Sequence, residues 1–165
     1  MKSKEKIYSI ACILLIIDQV VKLLIKTNMH LLDEIKIIPN FFSLYYIENE
    51  GAAFSILGGA RIILILVGVI ALFILDRFIN REKKISKLGV ISLGMIIGGI
   101  LGNMIDRILY GVVIDYLAFD LFNYSAPVFN IADIAITVGI LLFIVDVFRS
   151  DLDGNKSRRR TKIKN

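Results

Sequence analysis

Four apolar runs divide the chain: residues 7–25 (IYSIACILLIIDQVVKLLI), 62–79 (IILILVGVIALFILDRFI), 88–105 (LGVISLGMIIGGILGNMI) and 131–148 (IADIAITVGILLFIVDVF). Each is 18 or 19 residues long, close to the roughly 20 that an α-helix needs to cross a bilayer. The pattern predicts an all-α membrane protein with four transmembrane helices. Residues 26–61 hold no such run. Within them, IKIIPNFFSLYYIENEGAAFS is rich in β-branched and aromatic residues around Pro39-Asn40, which predicts a small β-rich segment at the membrane surface. Gly51, Ala52 and Ala53 permit close approach of another backbone, and Gly58-Gly59 breaks the chain before the second helix.

Polar residues interrupt the apolar pattern at few places. Asp18, Gln19 and Lys22 lie inside the first run. Asp18 and Lys22 are four apart, so they share a helix face and can pair, either as a structural ion pair or as the lining of a polar cavity. In the third run Gly94, Gly98 and Gly102 form a stripe at four-residue spacing, which lets a neighbouring helix pack closely. From Gly102 to Asp133 the polar groups concentrate: Asn103, Asp106, Arg107, Asp115, Asp120, Asn130 and Asp133. Asn103 and Arg107 share a helix face, and Asp106 can pair with Lys22 or Arg107. Asn130 and Asp133 have the spacing of an N-cap and its third helical residue, so helix capping competes with a functional reading for both. Asp115 falls in the connection between the third and fourth helices, and Asp120 in a plain loop.

Composition narrows the chemistry. The chain of 165 residues is 56% apolar with a mean hydropathy of +0.73, well beyond a soluble domain, and reads as a single integral membrane domain over residues 1–165. One cysteine, Cys12, excludes an internal disulfide and is expected as an inert buried thiol; one histidine, His30, leaves no His-based triad or metal site and is expected at the surface. Fifteen of the twenty Lys and Arg lie in residues 1–6, 77–87 and 149–165, so the positive-inside rule puts both termini and the 80–87 loop in the cytoplasm. The basic tail, residues 149–165, is expected on anionic lipid headgroups rather than on nucleic acid. With that topology Asp18, Lys22, Asn49, Asn103, Asp106, Arg107, Asp115 and Asp133 converge on one extracytoplasmic level.

Such a set can hydrolyse an amide with two carboxylates sharing one proton, the ionised one activating water and the protonated one donating to the carbonyl. Asp115 and Asp133 suit that role, and no metal or cofactor is called for. A proton-coupled transporter would use intramembrane aspartates differently, but no inverted repeat is present.

Five motifs in order, DQVVK (18–22), NEGAAF (49–54), GNMIDR (102–107), GVVIDY (111–116) and FNIAD (129–133), carry a resemblance. The chain resembles the lipoprotein signal peptidases (signal peptidase II), bacterial aspartic peptidases of the inner membrane. The resemblance implies Asp115 and Asp133 as the catalytic pair. It also implies that Asn103, Asp106, Arg107 and Asn130 shape the site, and that Asp18, Lys22, Asn49 and Gly51 support substrate binding or structure. It implies cleavage of diacylglyceryl-prolipoproteins before the lipidated cysteine and inhibition by globomycin-type cyclic peptides. The chain is expected to be a monomer among membrane lipids. Tyr116 departs from the family, where Phe is common after the first catalytic Asp.

Overall fold

The structure is a computed structural model that describes residues 2–51, 61–82, 84–121 and 124–163. The described elements are α1 (Ser3–Asn28), β1 (Glu34–Ile38), β2 (Phe42–Asn49), α2 (Arg61–Arg81), α3 (Lys87–Leu109), β3 (Val113–Leu121), β4 (Tyr124–Ser125) and α4 (Ile131–Ile163). Ala52, Ala53 and the Gly58-Gly59 break lie outside the described residues.

Four helices are long and apolar enough to cross a membrane. They run beyond the apolar stretches that announce them: α1 begins in the charged N-terminal residues, and α4 continues through the basic tail to Ile163. Ser86 caps α3, its hydroxyl accepting the Gly89 N–H at 2.8 Å. Large apolar side chains such as Ile62, Phe73, Leu141 and Phe148 are exposed, as a lipid-facing surface requires. Cys12 is exposed as well. The expected buried thiol is therefore wrong: its face of α1 turns away from α3, and periodicity alone could not set that rotation.

α3 is the centre of the bundle, with twelve buried residues against one, Ile79, in α2. Its glycines explain how it holds α1 and α4 so close. A Cβ on Gly94 would stand 2.7 Å from Cβ of Ile10, one on Gly98 2.8 Å from the Ala11 carbonyl, and one on Gly102 2.5 Å from Asp18 Oδ2. The rising register shows that α1 and α3 run parallel. A Cβ on Gly99 would meet the Ala132 carbonyl at 2.5 Å, while Gly139 lies against Ser92 and Ile96. α4 therefore runs antiparallel to α3, and its N-terminus meets the polar end of α3.

The β-rich segment expected within 26–61 is completed from elsewhere. The strands form an antiparallel sheet in the order β1-β2-β3-β4. Asp115 and Asp120, expected in a connection and a plain loop, both lie on β3. VIDYLAFDL gives no clean alternation, and only its long-range pairing with β2 reveals a strand. Ile25 of α1 and Met29, just past its end, pack with Tyr46, Ile114 and Tyr116 under the sheet, fixing it on the end of the bundle. Pairing steps from Leu44↔Leu117 to Ile47↔Asp115. Two residues, Tyr45 and Tyr46, thus oppose Tyr116 alone, a bulge directly beside Asp115 of the kind that re-aims side chains near functional sites.

Candidate active site

The site rests on a buried ionic layer between α1 and α3. Lys22 Nζ contacts Asp18 Oδ2 at 2.9 Å, Asp106 Oδ2 at 2.9 Å and Asn103 Oδ1 at 3.0 Å. Its three N–H donors match three acceptors, which is what a fully buried ammonium requires. Asp106 thus pairs with Lys22 rather than Arg107. Gln19 ties the layer together, donating to Asp106 Oδ1 at 2.9 Å, the Gly102 carbonyl at 3.2 Å and Asp18 Oδ2 at 3.3 Å. Asp106 Oδ2 also accepts the Ile114 N–H at 3.2 Å, which links the layer to the start of β3.

The same layer positions the start of α4. The Ala132 N–H donates to Asp18 Oδ1 at 3.0 Å, so an aspartate of α1 caps the first turn of another helix. Asn130 and Asp133 form a reciprocal cap: the Asp133 N–H donates to Asn130 Oδ1 at 3.0 Å and the Asn130 N–H to Asp133 Oδ2 at 3.2 Å. Capping and site-building are therefore not alternatives for these two residues. Asp133 Oδ1 accepts from Asn103 Nδ2 at 2.7 Å, and Asn130 Nδ2 donates to Asp115 Oδ1 at 2.6 Å. Stacking of Phe129 on Phe119, with ring centroids 5.7 Å apart, and backbone pairing of Phe129 with Leu117 hold the approach to Asn130.

Asp115 is buried. Asn49, two residues along β2 from its partner Ile47, donates to Asp115 Oδ2 at 2.9 Å. Asn49 Oδ1 in turn accepts the Gly51 N–H at 2.9 Å, and Arg107 donates to the Gly51 carbonyl at 2.8 Å and to the Asn103 carbonyl at 3.3 Å. Asn103 and Arg107, one turn apart, thus face the same opening. That opening is a cleft of about 460 Å³ lined by Asn49, Asn103, Arg107, Asp115 and Asp133, with an apolar wall that includes Val113, Phe129 and Ile136.

Burial pushes the Asp115 carboxyl up to about 7, and the Asp133 charge adds to it; the amides of Asn49 and Asn130 and the Lys22 charge oppose the rise. Next to it, the Tyr116 hydroxyl is buried without a hydrogen-bond partner among the described residues, and desolvation raises its pKa. Approach of the Ile131 backbone amide opposes that rise.

Asp18, Lys22, Asn49, Gly51, Asn103, Asp106, Arg107, Asp115, Asn130 and Asp133 are thus joined in one network. Asp120 is exposed at the far end of β3, and His30 is exposed at the end of α1. Gln19 is a structural member that the motif reading left aside; a polar residue inside an apolar run was its signal.

Against this geometry, the family model of signal peptidase (SPase) II matches residues 10–149. The chain belongs to the signal peptidase II family. It is 43% identical over 136 residues to the lipoprotein signal peptidase of Symbiobacterium thermophilum, covering 82% of this chain and 90% of that one. It is 38% identical over 149 residues to that of Halothermothrix orenii, covering 90% and 99%. A bacterial membrane enzyme solved by the in meso method at 2.3 Å superposes with a TM-score of 0.81 at 34% identity, covering 86% of this chain and 87% of that one. Signal peptidase II enzymes are aspartic peptidases that remove signal peptides from prolipoproteins, so this chain is a multi-pass membrane peptidase.

Proposed function

We propose that this signal peptidase II uses Asp115 and Asp133 as its catalytic pair on diacylglyceryl-modified prolipoproteins, hydrolysing the peptide bond before the lipidated cysteine. The observation that carries the assignment is that Asn130 and Asn103 hold both carboxylates at the wall of one cleft. Asp115, with its raised pKa, begins protonated and Asp133 ionised. Asp133 takes a proton from water as the water oxygen bonds to the scissile carbonyl carbon, and Asp115 gives its proton to the carbonyl oxygen. The resulting gem-diol collapses: the C–N bond breaks, Asp133 passes its proton to the leaving amine, and Asp115 recovers one from a diol hydroxyl. The products are a free carboxylate on the signal peptide and a free amine on the cysteine.

Arg107 and Asn49 stand at the cleft to orient the substrate backbone. Asp18, Lys22 and Asp106 set the frame without touching it. The apolar wall suits the lipidated cysteine, and globomycin-type cyclic peptides would compete for the same space. The protein acts as a single membrane domain and a monomer among bilayer lipids, with no cofactor. Its termini face the cytoplasm and its site the extracytoplasmic side, because the basic residues cluster at the opposite end. A gel-shift assay on a diacylated prolipoprotein tests the reading: purified protein without an ion gradient yields the shortened product, and the unlipidated precursor stays intact. Equal cleavage of both precursors would overturn the substrate assignment.

A further inference from the structure

A second polar feature lies at the other end of the bundle. Between α1 and α3, at their N-terminal ends, runs a groove of about 420 Å³ whose walls include Lys6, Ser9, Ile10, Lys87, Val90 and Ile91. Next to it the helices are in close contact, where Gly94 and Gly98 bring α3 against Ile10 and Ala11. Lys6 immediately precedes the apolar run that begins at Ile7, and Lys87 precedes the one that begins at Leu88. Both ammonium groups therefore sit where hydrocarbon gives way to headgroups, with apolar residues below them.

Among the described residues no carboxylate lines the groove. Neither Lys6 nor Lys87 makes a side-chain hydrogen bond or ion pair among the described residues; Glu5, the acid of the first turn of α1, accepts from the Lys2 N–H. We propose that the groove is a site for one anionic glycerophospholipid, its phosphodiester between Lys6 and Lys87 and an acyl chain along Ile10, Val90 and Ile91. This site is separate from the peptidase cleft and does not depend on its assignment.

Native mass spectrometry of the full-length protein in detergent, titrated with phosphatidylglycerol or phosphatidylcholine, tests it. One phosphatidylglycerol should be retained in preference to phosphatidylcholine. Attraction near a charged surface is worth about fivefold per lysine, so Lys6→Gln with Lys87→Gln should weaken retention about 30-fold. Lys36→Gln with Lys84→Gln removes the same charge elsewhere and should leave it unchanged, which separates the groove from diffuse attraction by the basic tail. Free glycerol phosphate should fail to displace the lipid. Equal retention of the two lipids, an unchanged Lys6/Lys87 variant, or displacement by glycerol phosphate at equal concentration would each overturn the proposal. Peptidase activity of the Lys6/Lys87 variant in detergent should match the parent, showing that it is folded.

Discussion

The side-chain amide of Asn130 donates to Asp115 Oδ1 at 2.6 Å, while its carbonyl oxygen accepts the backbone N–H of Asp133 at 3.0 Å. One residue therefore sets both carboxylates and also begins α4. This relation makes the two roles of Asn130 separable by mutation. Both Asn130→Ser and Asn130→Ala lose the buried amide donor, but Asn130→Ser keeps an N-cap and should be about 1 kcal/mol more stable than Asn130→Ala. Both variants lose the contact to Asp115, so both should cleave substrate at least tenfold more slowly. A fully active Asn130→Ser enzyme would show that the amide does not position Asp115.

Asp115→Asn and Asp133→Asn preserve size but can neither act as base nor supply the shared proton. Each should abolish nearly all turnover in a purified cleavage assay while the protein still folds and binds substrate. In the proposed mechanism the pair acts as a unit, so the double variant should be scarcely worse than either single one. Asp120→Asn, altering an exposed position at the far end of β3, should remain active.

The raised Asp115 pKa sets the pH response. If Asp115 must begin protonated, kcat/KM should fall about tenfold per pH unit above its value near 7. Stability has a matching sign. The folded carboxyl holds its proton up to about 7 against 3.8 for the ordinary group, so its stabilisation is complete below about 4 and is lost as pH rises through 7. Thermal denaturation of Asp115→Asn should lack this decline between pH 4 and 7. An identical slope in the variant would assign the titration to another group.

Helix packing gives a sharper structural test. A Cβ on Gly98 would meet the Ala11 carbonyl at 2.8 Å and its Cα at 3.2 Å, backbone atoms that cannot swing aside. Gly98→Ala should therefore lower the melting temperature and push α1 from α3. At Gly68 the nearest atoms, Met104 Sδ and Ile100 Cγ2, stand at 3.5 and 3.6 Å. Gly68→Ala should be neutral or stabilise α2 by up to about 1 kcal/mol.

Membrane orientation can be read by labelling. After Cys12→Ala, a single cysteine placed at Lys36 should react with an impermeant maleimide in intact cells, and one placed at Lys84 should react only after lysis. Labelling at 84 in intact cells would invert the topology.

The parts of this molecule that were legible in its sequence are those governed by local spacing. Run lengths announce the helices, the four-residue spacing of Gly94, Gly98 and Gly102 announces close packing, and three-residue spacing announces the Asn130–Asp133 cap. The rest depends on contacts between distant segments. β3 is defined by pairing with β2 some seventy residues away (Asn49 bonds Asp115 across 66 positions), and its own pattern carries no strand signal. The choice of Lys22 as partner to Asp106, and the exposure of Cys12, follow from how α1 is rotated against α3. The bulge at Tyr45-Tyr46, opposite Tyr116 and next to Asp115, has no local mark either.

The cap that Asp18 places on Ala132 joins positions 114 residues apart. During synthesis the first of these is made with α1, and the second only when α4 is produced. Until that last segment docks, Asp133 has no fixed orientation and Asn130 nothing to hold against Asp115. On the proposed catalytic assignment, a half-made chain already resident in the membrane therefore lacks a working pair of carboxylates. On the proposed assignment, the hydrolytic centre comes into being in the same event that docks α4 on α3.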